Sequence, residues 1–322
     1  MNKLKPLIET PKGNSFTQFL LVKKAEIKEA KTGKEYLQLE LFDSYTSLTA
    51  FMWDNFDDIK NSIQAGKVVK VEGMMDEYNG NTNIKIKRLR IATEPDGVDP
   101  ADFLPKSKKD ISFMQKQFTD RIDALKNTYL KTLMQNIFTE DILDKFSQSA
   151  AGKSWHHAYV HGLLEHTLEI IKICDLMCDI HKEANRDLLI CGAMMHDFGK
   201  VEELDVSRFF EYTDKGKLWG HIVISAMLLN EEIKKIPGFP SDLKECLIHL
   251  VLSHQGKLDF ASPVVPKILE AIILYQADEL SAKTNAYKNA IQNEKKDRKW
   301  TRRIPLAETE LYDHGIADNS KQ

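Results

Sequence analysis

From Phe16 to about Thr93, apolar residues recur in short runs with partial two-residue alternation, the pattern of half-buried strands. Phe19-Leu20-Leu21-Val22 is the first run. Tyr36, Leu37, Leu39 and Leu41 form the second, after a turn at Thr32-Gly33-Lys34. Leu48-Thr49-Ala50-Phe51-Met52-Trp53 is the third, and Val68-Val69-Lys70-Val71-Glu72-Gly73 the fourth. Ile84, Ile86, Leu89 and Ile91 make a fifth, bulged where the alternation slips. Tyr78-Asn79-Gly80-Asn81 carries the Asn-Gly signal of a hairpin turn between the last two. Between the third and fourth strands, Asp54 to Ala65 places Phe56, Ile59 and Ile63 at helical spacing, which predicts a helix there.

Five short strands with a helix between the third and fourth is the order of an OB-fold. Glu94 to Asp110 carries Pro95, Gly97, Pro100 and Pro105 among charges and reads as a linker. Beyond it the period changes to three and four. Phe113–Gln135, Leu163–Met177 and Leu188–His196 read as helical, the last closed by Gly199 as a C-cap. Ile222–Ile236 is stopped by Pro237, Leu243–Ser253 ends near Gly256, and Val264–Ile291 is a long tract. The expected fold is therefore multidomain α+β: an N-terminal five-stranded OB β-barrel over residues 1–93, a linker over 94–110 and an all-α helical domain over 111–300. A charged tail over 301–322 is expected to fray.

A length of 322 residues suits two domains, and 42% hydrophobic with 29% charged residues is an ordinary globular balance. The formal net charge of −3 excludes a global basic field, so a polyanion must be held by local patches or by metal. Cys174, Cys178, Cys191 and Cys246 form no C-x-x-C and lie among apolar residues, which points to reduced core thiols and a reducing compartment. The N-terminal MNKLKPLIETPKGNS has no apolar h-region, and no apolar run approaches the ~20 residues of a membrane span. The expectation is a cytoplasmic protein with no membrane partner.

The candidate chemistry lies in the helical part. His166 sits in Gly162-Leu163-Leu164-Glu165-His166-Thr167-Leu168, and His196-Asp197 ends an almost purely apolar segment. His221 follows Trp219-Gly220, His254 precedes Gly256, and Asp278 closes Ile272-Ile273-Leu274-Tyr275-Gln276-Ala277-Asp278. Imidazoles and carboxylates on the buried sides of five helices are costly unless paired or bound to an ion. One metal centre compensates all of them. The mixed nitrogen–oxygen donor set suits Mn, Fe, Co or Zn. An aspartate can bridge two ions, giving the paired arrangement that clamps a phosphodiester and activates water near neutral pH. Lys200 is either a cation for the phosphate or a lysine complementing a helix C-terminus. His156, His157, Tyr159 and His161 either line a substrate entrance or belong to a polar loop. His249 lies five residues before His254 and so on another helix face, while His181 and His314 have no supporting neighbours.

The order His166 … His196-Asp197 … Asp278 resembles the H…HD…D signature of the HD phosphohydrolase superfamily, and His221 and His254 match the subset that builds two-metal sites. The resemblance implies a first ion on His166, His196, Asp197 and Asp278, and a second on bridging Asp197 with His221 and His254. Asp197 and Lys200 are the catalytic candidates. An OB barrel before such a domain resembles the YhaM-type 3′→5′ exoribonucleases. The matching segments are Thr32-Gly33-Lys34-Glu35-Tyr36-Leu37 and Gly66-Lys67-Val68-Val69-Lys70-Val71-Glu72-Gly73 in the barrel. Those in the helical part are His156-His157-Ala158-Tyr159, Gly162-Leu163-Leu164-Glu165-His166-Thr167 and His196-Asp197-Phe198-Gly199-Lys200. That resemblance implies a manganese-preferring hydrolase trimming single-stranded RNA, or single-stranded DNA, from the 3′ end.

In the barrel, Tyr36, Phe51, Trp53 and Tyr78 are candidates for stacking on bases, with Lys23, Lys34, Lys85, Lys87 and Arg88 for the backbone. The competing assignment puts Phe51 or Trp53 in the barrel core and the lysines on a solvated face. Two other functions compete: an HD phosphodiesterase acting on a small or cyclic nucleotide, and a non-enzymatic DNA-binding replication factor.

Overall fold

The computed structural model describes residues 6–43, 45–78, 81–153, 155–206, 210–293, 299–304 and 307–316. The chain divides into two compact units, one of residues 1–106 with 205–211 and one of residues 107–204 with 212–322. The first holds five strands: β1 (Ser15–Glu29), β2 (Glu35–Phe42), β3 (Ser47–Met52), β4 (Val68–Tyr78) and β5 (Asn81–Ile91). They close into a barrel in the order β1-β2-β3-β5-β4, with β3 and β5 parallel and the other neighbours antiparallel. This is the OB arrangement expected from the strand order. β1 is long because it serves two partners: Ser15 to Leu21 pair with β4, and Leu21 to Glu29 with β2. A register shift between Val22 and Lys24 bends it from one to the other. A second shift sets Glu72 opposite Arg88 but Gly73 opposite Ile86, leaving Lys87 as the extra residue. That bulge falls where the sequence alternation slips. Leu20, Val22, Ala50, Val69, Val71 and Ile84 are fully buried inside the barrel.

One detail of this half differs from expectation. The stretch between β3 and β4 forms isolated turns, with Lys60 N donating to Phe56 O (2.9 Å) and Ile63 N to Ile59 O (3.1 Å), and no α-helix. Phe56 and Ile63 are buried against the barrel as their spacing implied. Asp54, Asn55, Asp57 and Asp58 favour local side-chain-to-backbone bonding over helix, and so short a helix is marginal. The Asn79-Gly80 turn lies outside the described residues. The segment read as linker is ordered: Arg90 and Asp96 make a bidentate pair at 2.7 Å, Glu94–Asp96 and Pro100–Asp102 are 3-10 turns, and Phe103 and Leu104 are buried.

The second unit is helical: α1 (Ile111–Asp123), α2 (Thr128–Ile137), α3 (Glu140–Gln148), α4 (Gly162–Ile180), α5 (Arg186–Met195), the short α6 (Lys200–Glu203), α7 (Asp214–Lys234), α8 (Ser241–Ser253) and α9 (Leu269–Asn293). The tract from Phe113 to Gln135 is two helices because Asn127 caps α2, its Oδ1 accepting from Leu130 N at 3.1 Å. The Asp187 carboxylate accepts from the backbone N–H groups of Lys126 and Asn127 at the break. α9 starts at Leu269 rather than Val264, since Pro266 forces the preceding residue out of helical geometry. Gly199 is not a left-handed cap, having φ −59 and ψ −16. It is glycine because a Cβ there would lie 2.2 Å from the His221 carbonyl oxygen. The tail is partly paired: Thr301 N donates to Leu311 O (2.9 Å), Ile304 N to Thr309 O (2.8 Å), and the Trp300 and Tyr312 rings sit 4.9 Å apart. Cys174, Cys178 and Cys191 are buried thiols and Cys246 is half-buried. No helix among the described residues is long and apolar enough to cross a membrane.

Phe118, Phe138, Phe146 and Phe198 form an aromatic cluster, Phe138 edge-on to the other three and Phe146 stacked on Phe198, with centroids 4.8 to 6.2 Å apart beneath the His196-Asp197 turn. Phe146 is fully buried, so Phe146→Ala is expected to cost about 3–5 kcal/mol. Chemical denaturation followed by circular dichroism checks this; a loss under about 1 kcal/mol would contradict so central a place in the core.

Candidate metal centre

Five segments bring the candidate ligands to one point. His166 projects from α4 and Asp278 from α9; His196 is the C-cap of α5, with Asp197 in the turn that follows. His254 is the C-cap of α8. His221 resumes α7 after Gly220, whose φ of 71 and ψ of 154 break the helix and re-aim the next side chain. The Asp197 carboxylate stands at the centre. Its Oδ2 lies 3.3 Å from His196 Nε2 and 3.7 Å from His166 Nε2, and its Oδ1 lies 3.3 Å from His221 Nε2 and 3.7 Å from His254 Nε2. Asp278 Oδ1 joins the first side, 3.1 Å from His166 Nε2.

The outer ring nitrogens fix the inner ones. Nδ1 of His196 donates to Ala193 O (2.8 Å) and Nδ1 of His254 to Val251 O (2.7 Å). A carbonyl only accepts, so the proton is on Nδ1 and the Nε2 lone pair faces inward. His221 Nδ1 meets Glu203 Oε1 at 3.1 Å, and the same oxygen accepts from the His221 N–H at 3.0 Å. His166 Nδ1 meets Ser281 Oγ at 3.1 Å, and that hydroxyl donates to Glu169 Oε2 at 3.0 Å.

Electrostatics point the same way for His166, His254 and Asp197. Burial lowers the pKa of His166, and lowers that of His254 to about 4, keeping both neutral near pH 7. Burial opposes the charge on Asp197 too, but Lys200 and His196 outweigh it and hold its carboxyl well below the usual range. His196 is also pushed down by burial and more strongly up by Asp197. The fit to metal rests on orphaned atoms: Nε2 of His166, His196 and His221 are buried with no hydrogen-bond partner. They surround a shared space instead of bonding across it. Donor atoms of His166, His196 and Asp197, and of Asp197, His221 and His254, each lie within 4.8 Å of one another. These nitrogen–oxygen sets suit divalent transition ions.

Lys200 is neither exposed nor at a helix C-terminus. It opens α6, is buried, and its ammonium donates to Asp197 Oδ2 (2.6 Å) and Ala151 O (2.5 Å). His156 lines the cavity at the centre, its ring 4.9 Å from that of His166 and both its nitrogens unpartnered. His157 and Tyr159 do not line that cavity. His157 is fully buried in a left-handed turn (φ 42), its Nε2 3.2 Å from Glu169 Oε2, and the Tyr159 hydroxyl donates to Glu165 at 3.1 Å. His161, at φ 72, meets Ser147 O at 2.7 Å. His249 Nε2 accepts from Lys267 N at 3.0 Å, away from the centre.

Sequence reasoning passed over Glu165, Glu169 and Glu203. The signal was available for Glu169, three residues after His166 and so on the same face of the helix. Glu165 and Glu169 could hold a cation with His157, but the Lys109 ammonium already meets both, at 2.8 and 3.2 Å.

On the barrel, Tyr36 and Trp53 stack at 4.5 Å, Phe51 lies 6.1 Å from Tyr36, and Phe51 pairs with Lys85 across β3 and β5. Phe51 is half-buried and Trp53 exposed, so neither belongs to the core. Lys87 and Arg88 line a depression of about 490 Å³ with Lys70 and Arg90. Lys23 pairs with Glu40 (3.1 Å) and Lys34 with Asp54 (2.6 Å). The Tyr78 side chain lies outside the described residues.

A family model described as "HD domain" matches residues 163–283, and one described as "OB-fold nucleic acid binding domain" matches residues 22–92. The chain is an OB barrel followed by an HD domain. An HD domain indicates a metal-dependent phosphohydrolase, and HD domains bind divalent metals. Among solved structures, the solution NMR structure of the second OB-fold domain of replication protein A from Methanococcus maripaludis is similar over 27% of this chain and 92% of its own, at 20% identity and a TM-score of 0.23.

Two outcomes are expected. Glu203→Gln should weaken metal binding about 10–100-fold, because a carboxylate behind a ligating imidazole orients it and raises its basicity; titration with a metal indicator measures this, and unchanged affinity would remove Glu203 from that role. Glu169 is pushed up by burial but further down by His157 and Lys109, to about 2. Its folded value lies below its unfolded one, so its stabilisation is present above about pH 4.5 and lost as pH falls towards 2. Glu169→Gln should therefore lower the unfolding midpoint at pH 7 more than at pH 2.5; equal losses would contradict the sign.

Proposed function

We propose that this protein is a metal-dependent 3′→5′ exonuclease that trims single-stranded RNA, or single-stranded DNA, to nucleoside monophosphates. The observation that carries the hydrolytic part is the division of the Asp197 carboxylate, one oxygen towards His166 and His196 and the other towards His221 and His254. In this reading His166, His196, Asp197 and Asp278 hold one ion, and Asp197, His221 and His254 a second. Divalent ions at those residues, manganese foremost, would supply Lewis acidity on phosphate oxygens and water of lowered pKa. The direction of trimming follows from the resemblance to YhaM-type enzymes.

The chain's own groups orient and neutralise. The Lys200 ammonium has three N–H donors, and Ala151 and Asp197 engage two of them. The third serves a phosphate oxygen. His156 is held neutral by burial, then by the neighbouring His166 and Lys200, so its ring offers one N–H and one lone pair to the scissile group. The aromatic face of Tyr36, Phe51 and Trp53 with Lys85 supports a bound single strand, because stacking accepts any base and requires it unpaired. That face favours a polymer over a small or cyclic nucleotide.

A 5′-labelled single-stranded RNA with manganese should give a descending ladder on a gel and stall at a stable hairpin. Chelation or Asp197→Ala should abolish the ladder while helical circular dichroism persists. Immediate internal cuts, or no RNA cleavage beside rapid turnover of a cyclic dinucleotide, would refute the reading. Trp53→Ala should weaken long-strand binding about 5- to 150-fold, in line with the roughly 1–3 kcal/mol of one stacked base; filter binding decides, and an unchanged affinity would move the strand elsewhere.

A further inference from the structure

The metal centre opens into a cavity of about 550 Å³, within the roughly 300–1,000 Å³ of small-molecule sites. Lys200, Asp197, Asp278 and His254 line it on the centre's side, and Trp155, Phe260 and Tyr275 also contribute. These three rings come from three separate segments: the loop before α4, the turn after α8, and α9. Each is held by its surroundings. Tyr275 lies against Gly256, where φ is +75 and a Cβ would be 2.2 Å from the ring. Trp155 meets the Tyr287 ring edge-on at 6.0 Å. Phe260 has the Lys257 ammonium 5.2 Å from its centroid and is 49% exposed. Glu279, whose carboxylate pairs with Lys283 at 2.6 Å, and Glu308, at the bend of the paired tail, complete the lining.

We propose that this cavity is a subsite for one terminal nucleotide, a proposal that rests on the nuclease reading above. The 5′-phosphate of that nucleotide lies at Lys200 and the ligand cluster. Its base lies against Phe260 and Tyr275 or Trp155, and the carboxylates of Glu279 and Glu308 accept from sugar hydroxyls. The ligand class is a nucleoside 5′-monophosphate. A planar base has a π-face whatever its identity, so the subsite takes all four nucleotides. A cavity of this size holds one unit and not a stacked duplex end.

Binding of AMP, CMP and ribose 5-phosphate to the full-length, manganese-loaded protein by isothermal titration calorimetry tests this. The two nucleotides should bind within a few-fold of each other, and ribose 5-phosphate about tenfold or more weakly. Phe260→Ala should bring AMP towards the ribose 5-phosphate value; the ring is half exposed, so its loss leaves the core alone. Trp155→Ala gives a second variant with the same expectation. Ribose 5-phosphate binding as tightly as AMP, or both variants binding AMP as wild type does, would overturn the subsite. Hydrolysis of bis(p-nitrophenyl) phosphate by the wild type is read separately: without it the nuclease reading falls, while the affinity comparison still decides the subsite.

Discussion

The centre of the helical unit is a problem in burial. Two carboxylates, Asp197 and Asp278, share a small space with the inward Nε2 atoms of four imidazoles, and one ammonium, Lys200, offsets only part of the negative charge. Uncompensated charge and orphaned polar atoms in a protein interior are expensive. Divalent cations held between these donors would supply the missing positive charge, and the packing around them holds the donors where they are. The aromatic cluster of Phe118, Phe138, Phe146 and Phe198 sits under the turn that carries Asp197.

The same demand shapes the backbone. Five segments can converge only if their main chains approach closely, and glycines mark where they do. A Cβ at Gly162 would lie 2.0 Å from the His157 carbonyl oxygen, and one at Gly199 would meet the His221 carbonyl. His157 and His161 hold positive φ without being glycine, which concentrates strain in the loop that seats His156 beside the ligands. Behind His166, His196, His221 and His254, Glu203, Ser281 and two backbone carbonyls satisfy the outer ring nitrogens, with Glu169 accepting in turn from the Ser281 hydroxyl. Rigid orientation of this kind is what a hydrolytic site needs before substrate arrives.

The two units solve different problems. The barrel keeps its apolar side chains inside and leaves Tyr36, Phe51 and Trp53 packed together on its outer face. The helical unit does the reverse, placing its polar chemistry inside and an apolar surround about it. The family matches agree with this division, an OB-fold nucleic acid binding domain preceding an HD domain.

Periodicity in the sequence determined the strands, the main helices and even the bulge at Lys87, because side-chain alternation is a local property of the backbone. It also determined the ligand candidates: a histidine or aspartate amid Leu, Ile and Met is anomalous wherever the chain takes it. The stretch between β3 and β4 was misjudged, because helical spacing of three anchors is compatible with turns once the barrel supplies the packing. Only the tertiary structure decided that Lys200 is buried on Asp197, that His157 and Tyr159 lie behind the ligands while His156 faces the cavity, and that Glu203 supports His221. Each of these depends on segments far apart in the chain meeting at a point. Local spacing says which face a residue occupies; it says nothing of what that face will meet.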